Sequence, residues 1–263
     1  VAISAFKWKI LAGFRGLDMP FFNFFKVYLT GAFINNFLPS IIGGDAYRSY
    51  SLGKANDGKY LESTSTVLID RIAGFFGIMA LILIFSLLNP SIVFVNPIFL
   101  IVDLAIAAIF TVSLFLLVLR KFPLWNKVKR FIPKKIRILL QEMRSFNQFG
   151  VMSKAVLLGA AFNFIGVGLA SWMLFLDLRI PISFVDFVMA ISVVSIVSSI
   201  PVSIGNIGIK EWAFMTIFGI FAVDGEAAIS IAIFGRFLQM VVTIFAIPFY
   251  LSDKRAAKLE AQE

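Results

Sequence analysis

Four apolar runs, residues 64–88, 98–119, 151–176 and 227–251, each approach or exceed the roughly 20 residues that carry an α-helix across a bilayer. A chain with such runs cannot leave them in water, and within lipid they must satisfy their own backbone hydrogen bonds. The composition agrees: 60% of residues are hydrophobic and 15% charged, against about 45–50% and about 25% in soluble domains. The sequence therefore predicts an all-α, polytopic integral membrane bundle forming a single membrane domain over residues 1–263. The start at Val1, with no signal-peptide pattern, reads as a chain truncated at its N-terminus.

Two further apolar stretches do not fit a simple crossing. Residues 19–42 carry Asn35, Asn36 and Pro39 and run into Gly43 and Gly44, which breaks a helix. A polar loop follows to residue 63, so 19–63 forms the first broken segment with its loop, ahead of the two crossings within 64–119. Residues 186–221 would extend about 54 Å as one helix, against a hydrocarbon core of about 30 Å. Pro201, Gly205 and Gly208 interrupt this stretch near its middle. The expectation is a re-entrant hairpin of two half-length helices, placed within 151–251 between a crossing and the final crossing.

The net charge of +9 arises from 24 Lys and Arg against 15 Asp and Glu. Its densest concentration, 120–150, reads as cytoplasmic by the positive-inside rule, lying in part along an anionic membrane surface or simply solvated. With that stretch inside, the 54–62 loop and the basic tail 252–263 are also cytoplasmic, provided 186–221 is re-entrant. The location expected is the cell membrane, with nucleic acid excluded as a partner because no basic run accompanies a soluble fold. Neither cysteine nor histidine occurs, which removes disulfides, thiol nucleophiles, histidine bases and zinc sites built on those ligands. No cofactor or metal is expected, and no enzymatic activity.

The broken elements share a spacing. Pro39, Gly43 and Arg48 match Pro201, Gly205 and Lys210, and each set precedes a crossing that holds an arginine, Arg71 or Arg236. With opposite entry sides this is the pattern of an inverted repeat. Half-helix termini buried in protein can bind an anionic head group, so Arg48 and Lys210 are expected to meet one ligand from opposite sides of the midplane. Arg236 lies near mid-depth and needs a carboxylate, carbonyls or a ligand, whereas Arg71 is near enough to the cytoplasmic end to snorkel. Asp70 points about 100° away from Arg71 and is not its natural partner. Asp45 either caps the helix after Gly44 or pairs with Arg48. Glu211 is either the partner of Lys210 or a favourable acid at a helix start.

The run Asn36-Phe37-Leu38-Pro39-Ser40-Ile41-Ile42-Gly43-Gly44-Asp45-Ala46-Tyr47-Arg48, with Asp70-Arg71-Ile72-Ala73-Gly74 and residues 201–211, resembles the membrane region of bacterial lysylphosphatidylglycerol synthases and their stand-alone flippase-like relatives. The similarity spans about residues 20–251. It implies a domain that translocates or presents anionic or aminoacylated phospholipid, or a polyprenyl carrier. Asn36, Pro39, Gly43, Gly44, Asp45, Arg48, Asp70, Arg71, Pro201, Gly205, Gly208, Lys210, Glu211 and Arg236 are then the expected lipid-binding residues. The sequence departs from the family's pattern at Asn206, where a second glycine is usual, and at Lys210, where arginine is common. No soluble aminoacyl-transferase domain follows within residue 263, so synthesis of lysylphosphatidylglycerol by this chain is not expected. Two other functions compete with lipid translocation. One is a non-transporting partner or anchor of a lipid or cell-envelope enzyme; the other is an intramembrane transferase using Asp45, Asp70 or Glu211 as acid or base.

Overall fold

The computed structural model describes residues 1–37, 42–119, 148–199 and 207–252, and these contain helices and turns without strand. Helix α1 spans Ala2–Phe14 and α2 spans Phe21–Phe37. Next come α3, Ile42–Lys54, and α4, Tyr60–Leu88. The short α5, Pro90–Val95, leads into α6, Pro97–Leu119. A second long helical run consists of α7, Phe149–Ala161, a π-helical stretch over Phe162–Leu169, and α8, Ala170–Asp177. Helices α9, Phe184–Ser198, α10, Ile209–Gly219, and α11, Gly225–Ile244, complete the bundle. Among the described residues, three runs are long and apolar enough to cross a membrane: α4, the run from α7 through α8, and α11.

Local sequence explains where these helices begin and end. Ser183 caps α9 by accepting from the Asp186 N–H at 3.1 Å. Asp224 caps α11 by accepting from Glu226 and Ala227 at 3.0 and 3.1 Å, each cap satisfying backbone donors that the helix leaves open. Helix α1 stops at Gly16, whose φ of +66° is available to glycine at little cost. There the Leu17 and Gly16 N–H groups reach back to the Ala12 and Gly13 carbonyls at 3.0 Å each, the bonding of a Schellman motif.

Helix α1 is a departure from the sequence reading, in which the earliest apolar segment begins at residue 19. Its Ala5, Trp8, Leu11 and Ala12 are fully buried, on the i, i+3, i+4, i+7 stripe of a core helix. The helix packs against α2, α4 and α7. A second departure is α3, which starts at Ile42, ahead of both glycines, and runs through much of the stretch read as polar loop.

Helices α4 and α7 meet backbone to backbone. A Cβ on Gly77 would overlap the Ala160 nitrogen and approach the Val156 carbonyl to 2.8 Å, while one on Gly159 would lie 3.0 Å from the Ala73 carbonyl and Gly74 Cα. Small residues permit this close crossing, as is usual between membrane helices. Around it, Trp172, Phe187, Phe175 and Phe218 tie α8, α9 and α10 together, with successive ring centroids in that order 4.9, 4.9 and 4.7 Å apart. Outward positions such as Leu87, Phe94 and Met173 are exposed, which suits a lipid-facing surface.

The two broken elements are pairs of short helices. Helices α2 and α3 pack on each other, as do α9 and α10. At 15 and 11 residues, α9 and α10 extend about 22 and 16 Å, less than the hydrocarbon thickness of about 30 Å. Residues 38–41 and 200–206, which separate the members of each pair in sequence, lie outside the described residues, and Pro39, Pro201 and Gly205 fall within them.

Candidate functional site: two interhelical ion clusters

The first cluster forms where α1, α3 and α4 converge. Asp70, buried on α4, accepts from Arg48 Nη2 at 2.8 Å, and its Oδ1 lies 3.1 Å from Lys7 Nζ. Lys7 also donates to the Asp70 backbone carbonyl at 2.7 Å. The Arg48 guanidinium carbon sits 4.4 Å from the Trp8 ring and 4.2 Å from the Tyr28 ring, so aromatic faces cover the cation where carboxylates do not. Arg48 is 4% exposed and Asp70 1%. Burial this deep requires mutual pairing, since either charge by itself would lose far more hydration than packing returns.

Asp45 extends the cluster toward the surface, lying 3.4 Å from Arg48 Nη1 and accepting from Arg71 Nε. Of the two roles open to Asp45 in the sequence, pairing is the one observed, and it embraces Arg71 as well as Arg48. Arg71 and Asp70 accordingly take different partners, as their angular separation on α4 requires. Gly74 leaves space for Lys7, because a Cβ there would stand 3.4 Å from Nζ. Beside Asp45 a groove of about 460 Å³ opens between α3 and α4, lined by Ser49, Tyr50, Tyr60, Thr64 and Val67.

Close helix contact holds α3 in place. The Gly44 N–H donates to Asn35 Oδ1 at 2.8 Å, and a Cβ at Gly44 would collide with the Gly31 carbonyl. Gly43 lies in the same first turn. Asn36 turns the other way and donates to Thr243 Oγ1 on α11 at 2.7 Å, joining the first broken element to the last long helix.

The second cluster joins α10 to α11. Arg236 donates to Glu211 Oε1 from Nη2 at 2.7 Å and from Nε at 3.1 Å. Glu211 Oε2 accepts from the Gly208 N–H at 2.8 Å, a capping contact at a residue whose φ of +86° favours glycine. Glu211 is thus a helix-start acid and the partner of Arg236; its bonds do not go to Lys210. Lys210 instead lies against α11, where a Cβ on Gly235 would stand 4.0 Å from its Nζ, and its Nζ is 5.9 Å from the Phe214 ring centroid.

Asp45, Arg48, Asp70 and Arg71 are therefore gathered in one place, and Lys210, Glu211 and Arg236 in another. Lys7, Trp8 and Tyr28 complete the first cluster without having been singled out in the sequence. For Lys7 the usable signal was its place four residues before Leu11, on one flank of the buried side of α1.

Among the described residues, an all-helical bundle with three membrane-capable runs and ion pairs held between its helices defines an integral membrane protein with polar groups inside the bundle. The chain belongs to the family described as lysylphosphatidylglycerol synthase TM region, which matches residues 1–246. It is also similar to the UPF0104 membrane protein MJ1595 of Methanocaldococcus jannaschii, with 38% identity over 73 residues. That alignment covers 27% of this chain and 21% of the relative. No solved structure matches the chain.

Proposed function

We propose that the protein binds phospholipid or another anionic lipid and translocates it across the bilayer, acting as a transporter and not as an enzyme. The observation that carries this reading is a matched pair of contacts. In each broken element an acid on the short second helix grips an arginine on the long helix that follows: Asp45 with Arg71, 26 residues apart, and Glu211 with Arg236, 25 residues apart. Ion pairs inside an apolar bundle are costly unless they serve a pathway or a ligand. Their placement beside helices too short to cross suits a re-entrant, inverted-repeat transporter. Under this reading the basic stretch and the C-terminus face the cytoplasm.

A second reading is a membrane partner or anchor for a lipid-modifying enzyme. It draws support from the family's name, which designates the membrane part of a synthase. Movement of fluorescent phospholipid between leaflets of proteoliposomes, with and without ion gradients, separates the two. Translocation above protein-free vesicles is expected. Retained lipid binding without translocation would favour the anchor.

A further inference from the structure

Asp103 is the one charged residue of α6, whose other side chains from Pro97 to Leu119 are apolar or carry a hydroxyl. It belongs to the inner side of that helix. Phe99, four residues before it, and Ile106, three residues after it, are buried, whereas Ile101 and Leu104 are exposed. Asp103 Oδ1 accepts from Ser86 Oγ on α4 at 3.1 Å. Ser86 is itself 5% exposed, and its Oγ lies 3.5 Å from Met189 Sδ on α9. Among the described residues no cation is paired with Asp103. Helix α5, packed on α6, has no titratable side chain. On α4 the charged residue nearest Ser86 in sequence is Arg71, about four turns away, and it is engaged by Asp45. Helix α9 brings Asp186, another acid, bonded to Asn89 and Ser183. Phe221, with its ring centroid 5.6 Å from that of Phe99, leads to Asp224, the acid that caps α11.

A carboxylate so placed has one neutral hydroxyl in place of the water it left, which falls far short of its lost hydration. The neutral acid needs much less. Ser86 Oγ serves the carboxylate as a donor and the protonated acid as an acceptor, so both states fit the same oxygen–oxygen contact. We propose that Asp103, held by Ser86, is a proton-binding site that loads and unloads inside the bundle. The carboxylate takes one proton from water to become the neutral acid and returns it unchanged, with no other bond made or broken. The path to water is short: Asp103 lies about 9 Å along α6 from Pro97, and Ser86 is in the last turn of α4. The two ion clusters offer no such site, because Asp45, Asp70 and Glu211 are each held by a cation. Under the transport reading above, on which this last step rests, the proton is the coupling ion.

The test treats the full chain in dodecylmaltoside micelles with dicyclohexylcarbodiimide, which adds to a protonated carboxyl in an apolar setting, and locates the label by peptide mass spectrometry. Asp103 should be labelled, and the labelling should fall as the pH is raised. A water-soluble carbodiimide should be far less effective. Ser86→Ala removes the donor that favours the ionised form, so the fall should move about one to two pH units higher, the worth of a hydrogen bond to a charged group. Asp103→Asn keeps a partner for Ser86 and identifies the labelled peptide, and thermal melting establishes that both variants are folded. Absence of label at Asp103 in the folded protein, labelling that does not vary with pH, or equal labelling by the water-soluble reagent overturns the site. So does a pH profile that folded Ser86→Ala leaves in place. In proteoliposomes, exchange of fluorescent phospholipid should quicken under a pH gradient, and Asp103→Asn should not respond to it. Labelling that follows pH without any leaflet exchange sustains the site and sinks the transport reading. Exchange indifferent to the gradient, or driven equally in Asp103→Asn, overturns the coupling and leaves transport standing.

Discussion

At the scale of single residues, the chain places its most expensive groups where their partners are far apart in sequence. Asp70 is held by Lys7 and Arg48, at separations of 63 and 22 residues. Replacing Arg48 with Gln leaves a carboxylate almost wholly buried with one cation fewer, and the expected loss is about 3–5 kcal/mol. Thermal melting in detergent checks it, and Asp70→Asn should be comparably damaging because it strands two cations. Lys210→Gln should leave the melting temperature nearly unchanged, since no bond to a described residue is lost. For Glu211 and Arg236, a double-mutant cycle of Glu211→Gln and Arg236→Met should reveal a coupling of about 1–3 kcal/mol, as expected of side chains in direct contact. These pairings were only partly legible in the sequence. That Asp70 and Arg71 diverge follows from helix geometry, whereas the choice of Lys7 as a partner depends on how α1 packs.

At the scale of elements, glycine decides which helices touch. Gly77 has backbone atoms of α7 where a side chain would begin, while Gly13 on α1 has nothing within 4 Å of its ideal Cβ. Gly77→Ala should therefore cost about 1–3 kcal/mol through overpacking, and Gly13→Ala should be neutral or stabilising by roughly 0.5–1 kcal/mol because alanine favours helix. Melting curves of the two variants make the comparison with identical chemistry. The long helices were readable because continuous apolar sequence of that length has few alternatives in a bilayer. Helix α1 was not, because Lys7 and Lys9 make a short amphipathic segment look like a charged flank. Similarly, Gly43 and Gly44 suggested a break at a point where α3 is already helical; the smallness of Gly44 serves contact with α2, as its closeness to Gly31 shows.

At the scale of the whole molecule, the contact between Asn36 and Thr243 spans 207 residues and links the first broken element to α11. The natural absence of cysteine lets this be tested directly. Asn36→Cys with Thr243→Cys should be joined efficiently by a short bis-thiol reagent in membranes, and failure to cross-link would separate the two halves. Single cysteines at Asp57 and Gly225 test the expected topology: a membrane-impermeant thiol reagent applied to intact cells should label only position 225. Labelling at 57 but not 225 would invert the orientation.

The stacking of Trp8 on Arg48 also turns the first cluster into an optical reporter. Trp8 is fully buried, lies 4.4 Å from the guanidinium carbon and donates its indole N–H to Thr66 at 3.0 Å. An indole in that setting emits according to the charge and water around it, so its fluorescence registers whether α1, α3 and α4 are assembled. With Trp125, Trp172 and Trp212 replaced by phenylalanine, one emission band would follow the integrity of the buried charges while lipid is added, without any attached label.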